Sequence, residues 1–262
     1  MLLLICEYER KNRDIYMEIN ISQFRINMHL PRTQQIEFTD LNRQLDDILN
    51  IYQQYIDNNA HWYPIHKTAK GKPKALIYSS EGFTEYGLKK LSHACKQIDT
   101  KGNFLFHFAD SQKLSDCNLM CYVGSKALDG SQASRSSIKF SFKLPESKQT
   151  IDKIASFITG LAKKFSHNFI TMDITNFPTS IYLFPPRINL SLMAYIPSPL
   201  QHKDYPEVYQ LIPIIKENNH VGTVIVLLNH FPNIQNINDI KTMYSVELKL
   251  READLLPMNK DL

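Results

Sequence analysis

The last quarter of the chain, residues 190–257, most constrains the fold because it holds three strand-like runs in fewer than 70 residues. The middle run, Gly222–Leu228, is apolar on both faces, which predicts a central strand covered on each side. In the last run Val246, Leu248 and Leu250 alternate with charged residues, which predicts a half-buried strand. The rest of the chain must supply partners for these runs, which are Leu190–Ile196, Thr223–Asn229 and Ser245–Glu252.

Hydrophobic periodicity predicts the elements that precede this block. Three- and four-residue spacing predicts helices over Leu41–Ile56, Leu88–Ile98 and Ile151–Phe165. Thr39 or Asp40 is expected to cap the first helix, and Pro31 to end the first strand. Alternation predicts strands over Phe24–Leu30, Phe104–Phe108, Leu119–Val123, Ile138–Leu144 and Phe169–Ile174.

This order of elements predicts an α+β fold, in which helices pack against a mixed, mostly antiparallel sheet. No change in composition marks a linker, so a single domain over residues 17–262 is expected. Residues 1–16 show no clear period and are interpreted as a peripheral extension before Met17.

Composition favours a cytoplasmic protein. The four cysteines are unevenly spaced and predict a reducing compartment rather than a disulfide framework. The apolar opening, Met1–Cys6, is too short for a signal peptide, and no apolar run approaches the ~18 residues of a membrane span. Residues 66–200 are basic, with 18 Lys and Arg against 9 Asp and Glu, whereas the first helix and the C-terminal segment are acidic.

Searches for catalytic and metal-binding patterns predict neither a cofactor nor an active site. Cys117 and Cys121 are four residues apart on or beside a strand, where that spacing spans ~13 Å. Zinc spacings, a nucleophile elbow and a phosphate-binding loop are absent from the sequence.

Two other hypotheses stay open. Asp239, Glu247 and Lys249 could form a metal-dependent nuclease site, although the alternating pattern favours an exposed ladder of charges on a strand. A nucleic-acid-binding module would use the basic loop Lys67–Lys74, with Phe104, Phe106 and Phe108 as a stacking platform. Alternation with Leu105 instead favours a core position for these rings.

The C-terminal block resembles the immunity protein 52 family of bacterial polymorphic toxin systems. The order of elements upstream of this block is also similar to that family. Ser191-Leu192 departs from it, because the family often has Gly-Trp at that place. The resemblance is carried by Met193–Pro197, a short helix expected from Pro206-Glu207 to Ile212-Pro213, Gly222–Val226, Val246–Leu250 and Asp254–Pro257.

The resemblance implies a non-enzymatic antidote in the cytoplasm. Its partner would be the C-terminal domain of a cognate toxin, often a restriction-endonuclease-like DNase delivered by type VI or contact-dependent secretion, and neither direct nucleic-acid nor membrane binding is expected. Acidic surfaces facing a basic nuclease groove would speed association, and buried aromatic anchors would supply affinity. The candidate toxin-binding residues are therefore Asp46, Asp47, Tyr55 and Trp62 of the first helix region, and Glu247, Glu252 and Asp254 near the C-terminus. The loop Gly124–Ser137 is a further candidate surface.

Overall fold

The computed structural model describes residues 21–33, 37–65, 74–101, 103–113, 117–125, 134–174, 188, 190–233 and 235–257. Its helices are α1 (Phe38–Tyr55), α2 (Glu85–Lys101), α3 (Lys148–Lys164) and α4 (Ile237–Glu252). Its strands are β1 (Ile21–Thr33), β2 (Tyr63–Pro64), β3 (Tyr78–Ser79), β4 (Gly82–Phe83), β5 (Asn103–Ala109), β6 (Leu119–Ser125), β7 (Ser134–Pro145), β8 (Phe169–Ile174), β9 (Met193–Ile196), β10 (Gln210–Lys216) and β11 (Asn219–Val226).

Nine of these strands form one sheet in the order β10-β11-β9-β8-β1-β7-β6-β5-β2, and β3 and β4 form a separate hairpin. Every pair of neighbouring strands is antiparallel. The first strand lies inside the sheet, between β7 and β8, so residues more than 100 positions apart are hydrogen-bonded neighbours. The predicted single α+β domain is confirmed.

An aromatic cluster holds α1 and α3 against the sheet. Tyr52 of α1 stacks 6.0 Å from Phe140 of β7 and meets Trp62 edge-on at 4.8 Å. Phe157 of α3 meets Phe140 edge-on at 5.2 Å. Such pairs contribute about 0.5–1.5 kcal/mol each beyond area burial. The side chain of Trp62 is fully buried in this cluster.

Several predicted boundaries differ. β1 continues through Pro31 to Thr33, with an irregular register after Leu30. Neither Thr39 nor Asp40 caps α1; its N-cap is Glu37, which makes no side-chain capping bond. The short helix predicted from Pro206 is wrong, because turns there lead directly into strand β10, which carries Pro213. Proline is tolerated in an edge strand, where its missing N–H breaks no ladder bond.

The largest correction concerns Ser245–Glu252, which is the end of helix α4 and not a strand. Val246 and Leu250 are fully buried, as alternation predicted, but Leu248 is 45% exposed. Met243, Val246, Glu247 and Leu250 share the buried face because they recur at three- and four-residue steps. A run of eight residues fits both the two-residue period of a strand and the 3.6-residue period of a helix. The helix begins about two turns before Ser245.

Candidate interaction surfaces

Asp46 and Asp47 of α1, which were predicted to bind a partner, form bonds within the chain. Asp46 accepts a hydrogen bond from the Tyr78 hydroxyl at 2.9 Å, which ties α1 to the β3–β4 hairpin. Burial, and next the hydrogen bond to Asp46, raises the pKa of Tyr78. Asp47 forms an ion pair with Lys164 of α3 at 2.8 Å. Both carboxylates are half-buried and contribute to packing between elements.

The aromatic residues proposed as anchors also face inward. Trp62 has no exposed surface, so it cannot touch a partner while the fold is intact. Tyr55 is half-buried where α1 meets α3. A Cβ on Gly160 would lie 2.6 Å from its Cε2 atom, so the absence of a side chain there permits the close approach of the two helices. Trp62 is therefore a core residue, and Tyr55 belongs to the interface between the helices.

The three C-terminal candidates divide into one buried and two exposed residues. Glu247 is 6% exposed; its Oε2 accepts a hydrogen bond from the backbone N–H of Leu190 at 3.0 Å. Its Oε1 accepts from Nη2 of Arg251, one helical turn away, at 2.8 Å. Glu252 and Asp254 are exposed at the end of α4. The predicted exposed ladder of charges is thus wrong, because Glu247 and Arg251 form a buried pair on a helix.

The carboxylates of the nuclease hypothesis are occupied by structural bonds. Asp239 is 3% exposed and accepts hydrogen bonds from Asn236 Nδ2 at 2.7 Å and Asn233 N at 2.9 Å, with His230 Nε2 at 3.1 Å. Lys249 pairs with Glu207 at 2.7 Å. Within the described ranges, no group of three or more His, Cys, Asp or Glu side chains converges to hold a metal ion.

The proposed stacking platform for nucleic acid is not exposed where it can be described. Phe106 is 8% exposed and Phe108 is fully buried, and their rings meet edge-on at 4.3 Å. The Phe104 side chain, residues 67–73 of the basic loop and residues 126–133 of the Gly124–Ser137 loop lie outside the described residues. The described phenylalanines are core residues, as their alternation predicted.

The opposite face of the sheet, which the sequence interpretation did not single out, carries a polar surface. We define the open face as the side chains on β1, β5, β6 and β7 that point away from α1 and α3. Cross-strand register aligns Asn27 with Lys139, Lys139 with Cys121, and Cys121 with His107. Arg25, His29, Ser137, Ser141, Val123 and Leu105 occupy the adjoining positions.

Charge on the open face is mainly positive. Arg25 and Lys139 are exposed, and neither has an ion-pair partner among the described residues. Asp173 of β8 lies opposite Arg25 and accepts a hydrogen bond from Asn27 Nδ2 at 2.8 Å. Burial, and then the neighbouring Lys139, lowers the pKa of His29 from 6.5 to about 4. The outward phase of the strand alternation was the only sequence signal for this surface.

Fold and surfaces together define an α+β protein with one extended antiparallel sheet, which has α1 and α3 on one side and, on β1, β5, β6 and β7, a cationic face on the other. None of the described helices has the length and apolar character that crossing a membrane requires. No protein-family model and no curated protein matches the chain. Among solved structures, the chain is similar to the T6SS protein PA0821 of Pseudomonas aeruginosa, with 9% identity and a TM-score of 0.48, over 92% of this chain and 84% of that chain.

Proposed function

We propose that this chain is an immunity protein that binds a cognate secreted nuclease toxin and neutralises it by steric occlusion. The observation that carries the proposal is that the segments resembling the immunity protein 52 family assemble into one unit. Residues 193–196 pair with 223–226 as neighbouring strands. The helix that contains Val246–Leu250 is joined to Leu190 through Glu247, and Ile188 N donates to Pro257 O at 3.1 Å.

The unit has the character of a scaffold. Strand β11 is buried on both faces from Gly222 to Val226, and the Thr223 hydroxyl donates to Ser198 O at 3.0 Å while accepting from Leu200 N. Asp239 and Glu247 are saturated by hydrogen bonds, which disfavours the nuclease alternative because a metal ion would have to displace those bonds. A body in which Thr223, Asp239 and Glu247 already have hydrogen-bond partners suits inhibition by shape and charge.

The test is co-expression, in the cytoplasm of a bacterial host, with the C-terminal toxin domain encoded by the neighbouring gene. The host carrying the toxin domain alone is the control. We expect growth to be restored, the two proteins to co-purify, and DNA cleavage by the purified toxin to stop near a 1:1 ratio. Failure to protect, or turnover of DNA by this chain alone, would overturn the proposal.

A further inference from the structure

We infer that the open face, centred on Arg25 and Lys139, is the surface that binds the toxin, and that it recognises a carboxylate-rich protein surface. The inference rests on the proposed function and reverses the charge expected from the acidic first helix. The acids of that helix already have partners in Tyr78 and Lys164. Arg25 and Lys139 form no ion pair with a described residue, and Asp173, the acid opposite Arg25, is hydrogen-bonded to Asn27.

The geometry brings the two cations together. Arg25 is paired with Ser141, which is two residues from Lys139 on the same side of β7, so the cations are diagonal cross-strand neighbours. Such neighbours lie about 7–8 Å apart. Lys143 is also exposed, opposite Gln23, and Asp173 is the carboxylate beside Arg25. The surface therefore has an excess of positive charge next to a single described acid.

The remaining chemistry of the face favours protein over nucleic acid. Leu105 is 55% exposed and lies opposite Val123, so an aliphatic patch adjoins the cations. Binding of single strands relies on exposed aromatic rings that stack on bases. In the described chain, the exposed large aromatic side chains are Tyr86 and Tyr209. Neither belongs to the open face.

A nuclease offers a matching target. Metal-dependent phosphodiester cleavage uses divalent ions held by carboxylates, so such a toxin carries an acidic cluster at its centre. Cations directed at this cluster would compete with the metal ions and cover the site at the same time. Opposite charges across an interface also raise the association rate, and this effect weakens with salt.

The experiment measures affinity for the neighbouring gene's toxin domain, kept inactive by leaving out divalent metal ions so that its carboxylates are retained, by calorimetry at two ionic strengths. Arg25→Glu/Lys139→Glu should weaken binding by at least ~100-fold and abolish most of its salt dependence. The single variant Lys139→Glu places no acid directly opposite another acid, because the cross-strand neighbours of residue 139 are Asn27 and Cys121. It should weaken binding ~10-fold. This variant tests the inference if the double variant unfolds.

The matched control is Lys96→Glu/Lys153→Glu, which makes the same change in net charge at exposed positions of α2 and α3. We expect its affinity within ~3-fold of wild type. Unchanged binding by Lys139→Glu, or equal losses in both double variants, would overturn the inference while leaving the proposed function intact if the wild type still protects cells. Salt-sensitive binding of a 20-nucleotide DNA by the wild type, lost in Lys139→Glu, would also overturn it in favour of nucleic acid.

Discussion

At the residue scale, burial decides which polar groups are available for binding. Asp46 and Glu247 look alike in sequence, as acids among apolar neighbours, yet one ties α1 to a hairpin and the other accepts a backbone N–H. Glu247 is the buried one of the two, and since a buried carboxylate without partners would be strongly destabilising, its bonds are required by the packing. The acids that remain exposed, such as Glu252, lie where no element covers them.

His29 should make the stability of the fold sensitive to acid. The unfolded chain protonates this imidazole near pH 6.5 and the folded chain only near pH 4. Between these values the unfolded state binds the extra proton, so stability is present above pH 6.5 and falls as the pH drops towards 4. Between pH 6.5 and 4 the free energy of unfolding should therefore fall by about 3 kcal/mol at most.

The measurement is urea denaturation of the wild type and His29→Gln from pH 7.5 to 4. The difference in the free energy of unfolding between the two proteins should change by up to about 3 kcal/mol over this pH range, because the wild type loses more stability on acidification. His167→Gln, at an exposed position, is the control and should keep the acid sensitivity of the wild type. Parallel curves for the wild type and His29→Gln would contradict the prediction.

At the element scale, α4 shows how a polar pair can be part of a buried helix face. Glu247 and Arg251 lie one turn apart, and each side chain is only 8% exposed. A strand would have placed both on a solvent-facing side. The helix turns them inward, beside Val246 and Leu250, where each charge compensates the other.

Removing one partner should therefore be costly. Glu247→Leu removes the carboxylate that pairs with Arg251 and accepts from Leu190 N, and we expect a loss of about 3–5 kcal/mol in the free energy of unfolding. Glu247→Leu/Arg251→Met should recover the part of this loss that comes from burying the charge of Arg251 without Glu247, whereas Leu190 N stays without its acceptor in both variants. Denaturant titration gives the coupling between the two positions.

The exposed pair of the same spacing, Glu85 and Lys89, provides the control, since its side chains are 85% and 74% exposed. Glu85→Ala should change the unfolding free energy by less than about 0.5 kcal/mol. A cost for Glu247→Leu no larger than for Glu85→Ala would show that the pair does not stabilise the fold.

At the scale of the whole molecule, the sheet joins parts of the chain that are far apart in sequence. β1 pairs with β7 on one side and β8 on the other, and β9 continues the sheet into the C-terminal unit. Burial is unequal along this order: residues 223–226 of β11 are buried on both faces, whereas Ile215 of the edge strand β10 is 54% exposed.

Hydrogen exchange should follow that order. Amides of Val224 to Val226 should exchange only through global unfolding, whereas those of β10 should exchange through local opening at the edge of the sheet. The expected pattern is a fall in protection from β11 to β10, measured by native-state exchange at increasing denaturant. Equal protection of the two strands would contradict it and would mean that they open together.

Periodicity in the sequence determined most of the local structure. Helices α1, α2 and α3, strands β5 to β8 and the inward position of Phe106 and Phe108 could be predicted because each has its own period and a face of uniform polarity. The outward phase of β1 and β7 was equally readable, although nothing local marked Arg25 and Lys139 as lacking ion-pair partners.

Only the tertiary structure decided the remaining points. The place of β1 in the middle of the sheet depends on pairing over more than 100 residues, which no local pattern encodes. The run from Ser245 became a helix because its apolar residues and Glu247 could be buried together against Leu190 and its neighbours, and eight residues alone fit either period. Whether an acid binds a partner or supports the core depends on which side chain lies opposite it, and that is known only when the elements are packed.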